Sequence, residues 1–144
     1  NAALQKTEAL TDGYDEAITL SYGTSFVCEG SAMNLFMVKN ETLFTPPVSS
    51  DILEGITRNT VVELSKEELD IPVIERQISR TELYTADELF FCGTGAQIAP
   101  IGNVDGRIIS NGEIGKITKK IQDIYFLAVK NKIKKYSKWC TKVV

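Results

Sequence analysis

The sequence predicts a mixed α/β fold, a single strand-rich domain with hairpins and packed helices. Three observations carry this reading. Short apolar stretches alternate at period two between turn residues; residues 56–64 and 117–128 switch to helical spacing; and several strand pairs are joined by turns too short for a crossover helix. The last point argues against a parallel doubly wound sheet. With 144 residues, 43% of them hydrophobic and 24% charged, the chain fits one domain with a sizeable core.

Taken in order, Ala3, Leu4, Thr7 and Leu10 keep helical spacing and Gly13 supplies the stop. The pattern is already running at Asn1, so the chain is expected to begin in mid-domain. Ala17 to Tyr22 and Ser25 to Cys28, with Gly23 between, read as a hairpin; Asn34 to Val38 and Leu43 to Thr45, turning at Asn40-Glu41, read as a second. Pro46-Pro47 ends that ribbon. A polar turn, Ser49-Ser50-Asp51, leads to Leu53-Glu54-Gly55-Ile56-Thr57-Arg58, where a helix starts and continues through Val61, Val62 and Leu64. A strand is expected from Ile71 to Ile78. Ser79-Arg80-Thr81-Glu82 has the form of a capping box and predicts a short helix. Val104-Asp105-Gly106-Arg107 is a hairpin turn. Asn111-Gly112 and Gly115 precede a last helix whose stripe is Ile117, Ile121, Ile124, Tyr125 and Ala128, and Trp139 is expected to anchor the tail.

Composition narrows the chemistry. Cys28, Cys92 and Cys140 show no metal-ligand spacing and there is no histidine, which disfavours a disulfide framework, a zinc site and histidine-based catalysis. No apolar run approaches the roughly 20 residues of a membrane helix, and no secretory leader pattern is present, so a cytoplasmic protein without a membrane partner is expected. Nine lysines against one acid, Asp123, fall between Lys116 and Val144. They suit either a solvated helix face or a partner-binding, even nucleic-acid-binding, surface; the absence of arginine and of glycine-aromatic interleaving favours the first.

The chain is organised around Leu89 to Ile101, where an apolar run breaks at Gly93-Thr94-Gly95 and resumes. Such a break is either a tight turn or bulge between strands, or a place where backbone N–H groups and the Thr94 hydroxyl converge on an anion. Two other places suit a ligand. The Ile56 and Thr57 N–H groups at a helix N-terminus, with the Thr57 hydroxyl, suit a phosphate. Glu29, following the apolar Phe26-Val27-Cys28, needs either a cationic partner, such as Arg58 or the cationic ring of a ligand, or a cluster of hydrogen-bond donors.

Gly13-Tyr14-Asp15-Glu16-Ala17, Glu29-Gly30-Ser31, Met33-Asn34-Leu35-Phe36, Thr45-Pro46-Pro47, Leu53 to Arg58 and the central stretch follow one another in an order and spacing that resembles the class IV pyridoxal-phosphate aminotransferases, nearest to the branched-chain type. The resemblance covers nearly the whole chain. It implies the C-terminal, cofactor-binding half, a pseudo-barrel domain, with pyridoxal 5′-phosphate as cofactor and amino acids and 2-oxo acids as substrates. By the same resemblance Glu29 faces the pyridine nitrogen, Leu53 packs on the ring, Ile56, Thr57 and Thr94 bind the phosphate, and the backbone of Gly95 and Ala96 receives the substrate carboxylate. Asn34 would be structural.

The resemblance also implies what is missing. The Schiff-base lysine belongs a few residues upstream of Asn1, Lys6 occupies an ordinary surface position, and the chain alone should be inactive. Ala96 and Ala99 stand where mammalian relatives carry a CxxC pair, which removes redox gating through it. The resemblance further implies a dimer or larger assembly, the common state of complete family members. A D-amino-acid aminotransferase or aminodeoxychorismate lyase is the alternative within the family; outside it, a non-catalytic fragment binding through the Lys-rich helix.

Overall fold

The computed structural model describes residues 2–141. Asn1, read as lying within the first helical pattern, and Lys142, the last of the nine lysines, fall outside them. Helix α1 (Ala2–Thr11) is followed by β1 (Ile18–Leu20), β2 (Val27–Gly30), β3 (Asn34–Lys39), β4 (Thr42–Thr45), α2 (Ile56–Glu67), β5 (Val73–Glu75), α3 (Arg80–Leu83), β6 (Glu88–Gly93), β7 (Gln97–Pro100), the β8–β9 hairpin (Asn103–Val104 and Arg107–Ile108) and α4 (Lys116–Val129). The mixed α/β expectation therefore holds. Seven of the described strands form one sheet, antiparallel except for β4 and β5, which α2 joins as a parallel pair.

β3 is the centre. On one edge it pairs β2 at Asn34 and β4 from Met37 to Lys39; along the other it pairs β6 from Asn34 to Val38. Alternation sends Phe36, Val38, Phe90 and Cys92 to one face, where Val61 and Leu64 of α2 and Ile121, Tyr125 and Ala128 of α4 cover them. Leu35, Met37, Leu89 and Phe91 face the other way, onto Val27, Ile78, Leu83, Val104 and Ile109. Period-two burial on both faces of a central strand explains why β3 and β6 read as near-continuous apolar runs.

The Asn40-Glu41 and Asp105-Gly106 turns both have two consecutive positive φ angles, as two-residue hairpins require. Ser79 opens α3, its N–H donating to Glu82 Oε2 at 2.8 Å. Two strand expectations shift. The second strand of the first hairpin, expected at Ser25 to Cys28, runs from Val27 to Gly30, so Glu29 sits within a strand and not on a turn. The strand expected from Ile71 to Ile78 is only Val73–Glu75, because Pro72 has no N–H to donate and the chain then changes partner: Val73–Glu75 pairs β4, whereas Ile78 O accepts from Val27 N–H.

The tail folds back as a 3-10 turn, Lys134–Trp139, whose fully buried anchor is Tyr136, not Trp139; the Trp139 ring stacks on Tyr136 at 4.2 Å between centroids. The Tyr136 hydroxyl donates to Glu68 Oε1 at 2.7 Å, and Lys135 pairs with Glu67 and Glu68 at the C-terminal end of α2. The described lysines after residue 115 are exposed, and those on α4, Lys116, Lys119 and Lys120, lie away from its buried residues Thr118, Ile121, Tyr125 and Ala128. No helix among the described residues is long and apolar enough to cross a membrane.

Candidate functional site

Sheet register brings most of the singled-out residues to one end of the molecule. Asn34 pairs Glu29 on β2 and Cys92 on β6, so three strands line up there in one row. The next residue of β6, Gly93, opens the hairpin loop Thr94-Gly95-Ala96, which closes where Gln97, with φ 58°, pairs back to Gly93. The glycine-flanked break is thus a tight three-residue turn of the kind that ends in a left-handed residue. The turn does not by itself require Gly95, whose φ is not positive; a Cβ there would meet nothing within 4 Å. That leaves open space beside the loop backbone.

At the same end, α2 begins. Its N-cap is Gly55, with no side-chain cap, so the Ile56 and Thr57 N–H groups are among the free donors of a first helical turn. Thr57 is buried, and its hydroxyl makes no hydrogen bond among the described residues. Asn34 links this helix start to Glu29. Its Nδ2 donates to Glu29 Oε2 at 2.9 Å and to Leu53 O at 2.8 Å, while Leu53 N–H donates to the same Oε2 at 3.1 Å. Asn34 is therefore more than a strand residue: it orients the carboxylate. Among the described residues Glu29 Oε1 accepts no hydrogen bond.

Arg58 is not the partner of Glu29. Its Nη2 donates to Glu75 Oε2 at 2.6 Å and to Pro46 O at 2.9 Å, which leaves the Glu29 carboxylate without a cation from this chain among the described residues. Partial burial pushes the Glu29 carboxyl above its ordinary 4.5, the Leu53 N–H acting against it. The folded chain then holds that proton to higher pH than the unfolded chain. Stability is expected to fall as pH rises from the ordinary value through the raised one, since there the folded state binds more protons. Urea denaturation in pH steps checks this: Glu29→Gln should lack the fall, and matching slopes in both proteins would refute it.

The surroundings are fixed by further polar contacts. Thr19 Oγ1 donates to Glu29 O at 2.8 Å. Glu16 accepts from Ala17 N–H at 2.9 Å, Ser31 N–H at 3.3 Å and Lys6 Nζ at 3.0 Å, tying α1 and the turn after Glu29 to β1. Burial pushes the Glu16 carboxyl up, but these bonds and one with the Ser31 side chain outweigh it and hold it below the usual range. Burial pushes the Cys92 thiol up to about 12, against the pull of the nearby Arg58 charge, so Cys92 is an inert core thiol.

A groove of about 1170 Å³ lies under α1 between Glu16, Met33, Phe91 and the β8–β9 hairpin, and none of the singled-out ligand residues lines it. A smaller one of about 320 Å³ is lined by Glu29 with Thr19, Cys28 and Ser31. Leu53 and Ile56 are 74% and 85% exposed. The site is thus an open face carrying a poised carboxylate, an uncapped helix start and an open glycine loop. Sequence reasoning missed Asn34 as the carboxylate's holder, because the pairing of Asn34 with Glu29 follows only once β2 runs from Val27 to Gly30.

The amino-transferase class IV family model matches residues 1–104. A protein of Aquifex aeolicus named a probable branched-chain-amino-acid aminotransferase is 54% identical over 99% of this chain and 46% of its own length. The branched-chain aminotransferase of Thermoproteus uzoniensis, solved with norvaline, superimposes with a TM-score of 0.92 at 46% identity, over 97% of this chain and 46% of that one. The enzyme of Thermobaculum terrenum in its pyridoxal-phosphate form gives 0.94 at 41% identity, over 97% and 45%. The chain spans about half the length of the relatives it matches.

Proposed function

The chain belongs to the class IV aminotransferases, and on that premise we propose that it is the C-terminal, pyridoxal-phosphate-binding half of a branched-chain amino-acid aminotransferase. The complete enzyme passes the amino group of leucine, isoleucine or valine to 2-oxoglutarate, in the cytoplasm. One observation carries the reading. Glu29 is held through Oε2 by Asn34 and Leu53, with Oε1 unengaged among the described residues, at the same end of the sheet as an uncapped helix start and an open glycine loop.

The donor set fits the cofactor. When bound, pyridoxal phosphate supplies a conjugated electron sink and an aldehyde that exchanges with amino groups. Glu29 keeps a proton on the pyridine nitrogen, a charge that relieves the cost of its own partial burial. Leu53, otherwise an exposed apolar side chain, packs on the ring. The Ile56 and Thr57 N–H groups, the Thr57 hydroxyl and Thr94 hold the phosphate, where the dipole of α2 favours negative charge. The Gly95 and Ala96 backbone, with no Cβ at Gly95 to intrude, receives the substrate carboxylate. The lysine that anchors the cofactor and carries the proton comes from an upstream half, which also covers Leu53 and Ile56, and the whole enzyme associates as a dimer or larger.

The test is a substrate panel on the complete protein, with 2-oxoglutarate as acceptor. L-Leucine should be transaminated, and D-alanine and aminodeoxychorismate should not react. Preference for either of the latter would overturn the branched-chain assignment; leucine turnover by the 144-residue chain above free cofactor would overturn the upstream lysine.

A further inference from the structure

Helix α2 has a feature that its own stability does not explain. Acids favour a first helical turn and cations oppose its dipole. This turn carries no acid, and its third residue is Arg58, only 2% exposed. Burying a guanidinium is costly unless its donors are met. Here Nη2 bonds Pro46 O, just past β4, and Glu75 Oε2 on β5, and Nη1 reaches Asn59 Oδ1 at 3.4 Å, while Nε has no partner among the described residues. A charge kept in an unfavourable and incompletely satisfied place has a reason outside helix formation.

The same turn is held from its other side. A Cβ on Gly55 would lie 2.1 Å from Asn34 Oδ1 and 3.6 Å from Arg58 Cβ, so Gly55 is wedged between the residue that orients Glu29 and the stem of Arg58. Arg58 thus ties the helix start to β4 and β5, and Asn34 ties it to β2 and β3. Between those ties lie the free Ile56 and Thr57 N–H groups.

We propose that Arg58 is a positioning residue of the anion site. It holds these N–H groups in register with the Glu29 carboxylate and adds a buried positive charge behind them, and so sets the preference for a phosphorylated ligand over the same ligand without phosphate. The inference rests on the cofactor reading above. The Arg58 guanidinium is engaged with Pro46 O and Glu75, so it acts through the backbone of α2 and through its charge, not by binding the ligand itself.

The experiment titrates the protein with two probes, pyridoxal phosphate and pyridoxal, and reads the ratio of their affinities. For Arg58→Met the ratio should fall by about tenfold, through loss of pyridoxal-phosphate binding alone. A purely structural role would weaken both probes together and leave the ratio unchanged. Glu75→Gln is the second variant, because it removes the carboxylate and keeps the guanidinium; its ratio should stay at or above wild type even where stability drops. Should Arg58→Met fail to fold, Arg58→Lys decides: the ammonium lacks the planar fork, and the ratio should fall. An unchanged ratio in the Arg58 variant, or a lowered one in Glu75→Gln, overturns the proposal. A wild-type protein with no preference for the phosphorylated probe overturns the cofactor reading itself.

Discussion

Replacing Glu29 by glutamine is expected to lower kcat of the complete enzyme by on the order of 10²-fold or more, the loss seen when preorganised charge facing the reacting system is removed. The substitution isolates charge. A glutamine carbonyl can still accept from Asn34 Nδ2 and Leu53 N–H, the two donors that fix Oε2, so strand register and the helix start should survive. What disappears is the negative charge that, on the proposed reading, would face the pyridine nitrogen. Cofactor content by absorbance should stay near wild type while kcat falls. A kcat within about threefold of wild type would remove Glu29 from the mechanism.

Gly55→Ala is expected to destabilise the fold by about 1–3 kcal/mol, the usual range for overpacking a filled site, and to weaken cofactor binding with it. Backbone strain is not the cause, since Gly55 has φ −71° and ψ 134°, open to any residue. The cause is the Asn34 amide in the path of the new methyl group, and Asn34 cannot yield without releasing Glu29 and Leu53 O. Gly95→Ala makes the contrast. With nothing within 4 Å of its Cβ, it should change stability by less than about 0.5 kcal/mol yet obstruct the ligand. Urea denaturation and cofactor titration of both variants check this; equal stability losses would show that the two glycines are kept for one reason.

These contrasts mark how far the sequence could be read. Locally specified features were legible: the Asn40-Glu41 and Asp105-Gly106 turns need left-handed residues, the last helix shows its stripe, and Ser79 with Glu82 announces α3. Residues whose role is set by distant partners were not. Glu88 lies on β6 but accepts from Ile117 N–H, Thr118 N–H and Thr118 Oγ1, capping a helix that starts 28 residues later, and its carboxylate occupies the space a side chain at Gly115 would need. Nothing near Glu88 in sequence signals that. Arg58 finds Glu75 and not Glu29 because the α2 crossover lays β5 beside β4, an arrangement that periodicity does not encode. The ligand residues themselves were legible chiefly through resemblance, since an uncapped helix start and a glycine turn gain meaning only when register brings them together.

The branching of the sheet around β3 has a consequence for solubility. The strongly apolar run of β6, Leu89-Phe90-Phe91-Cys92, would be an aggregation hazard as an open edge. Because β6 lies between β3 and β7, its hydrogen-bonding groups are enclosed on both sides, and the sheet ends instead on β1, β5 and β7. Each of those rims is poorly suited to recruiting another strand. β1 and β5 are three residues long, Pro72 precedes β5 and Glu75 closes it, and β7 ends at Pro100, which has no N–H to offer. The chain thus keeps its most adhesive segment in the interior and shows its neighbours only short, interrupted borders.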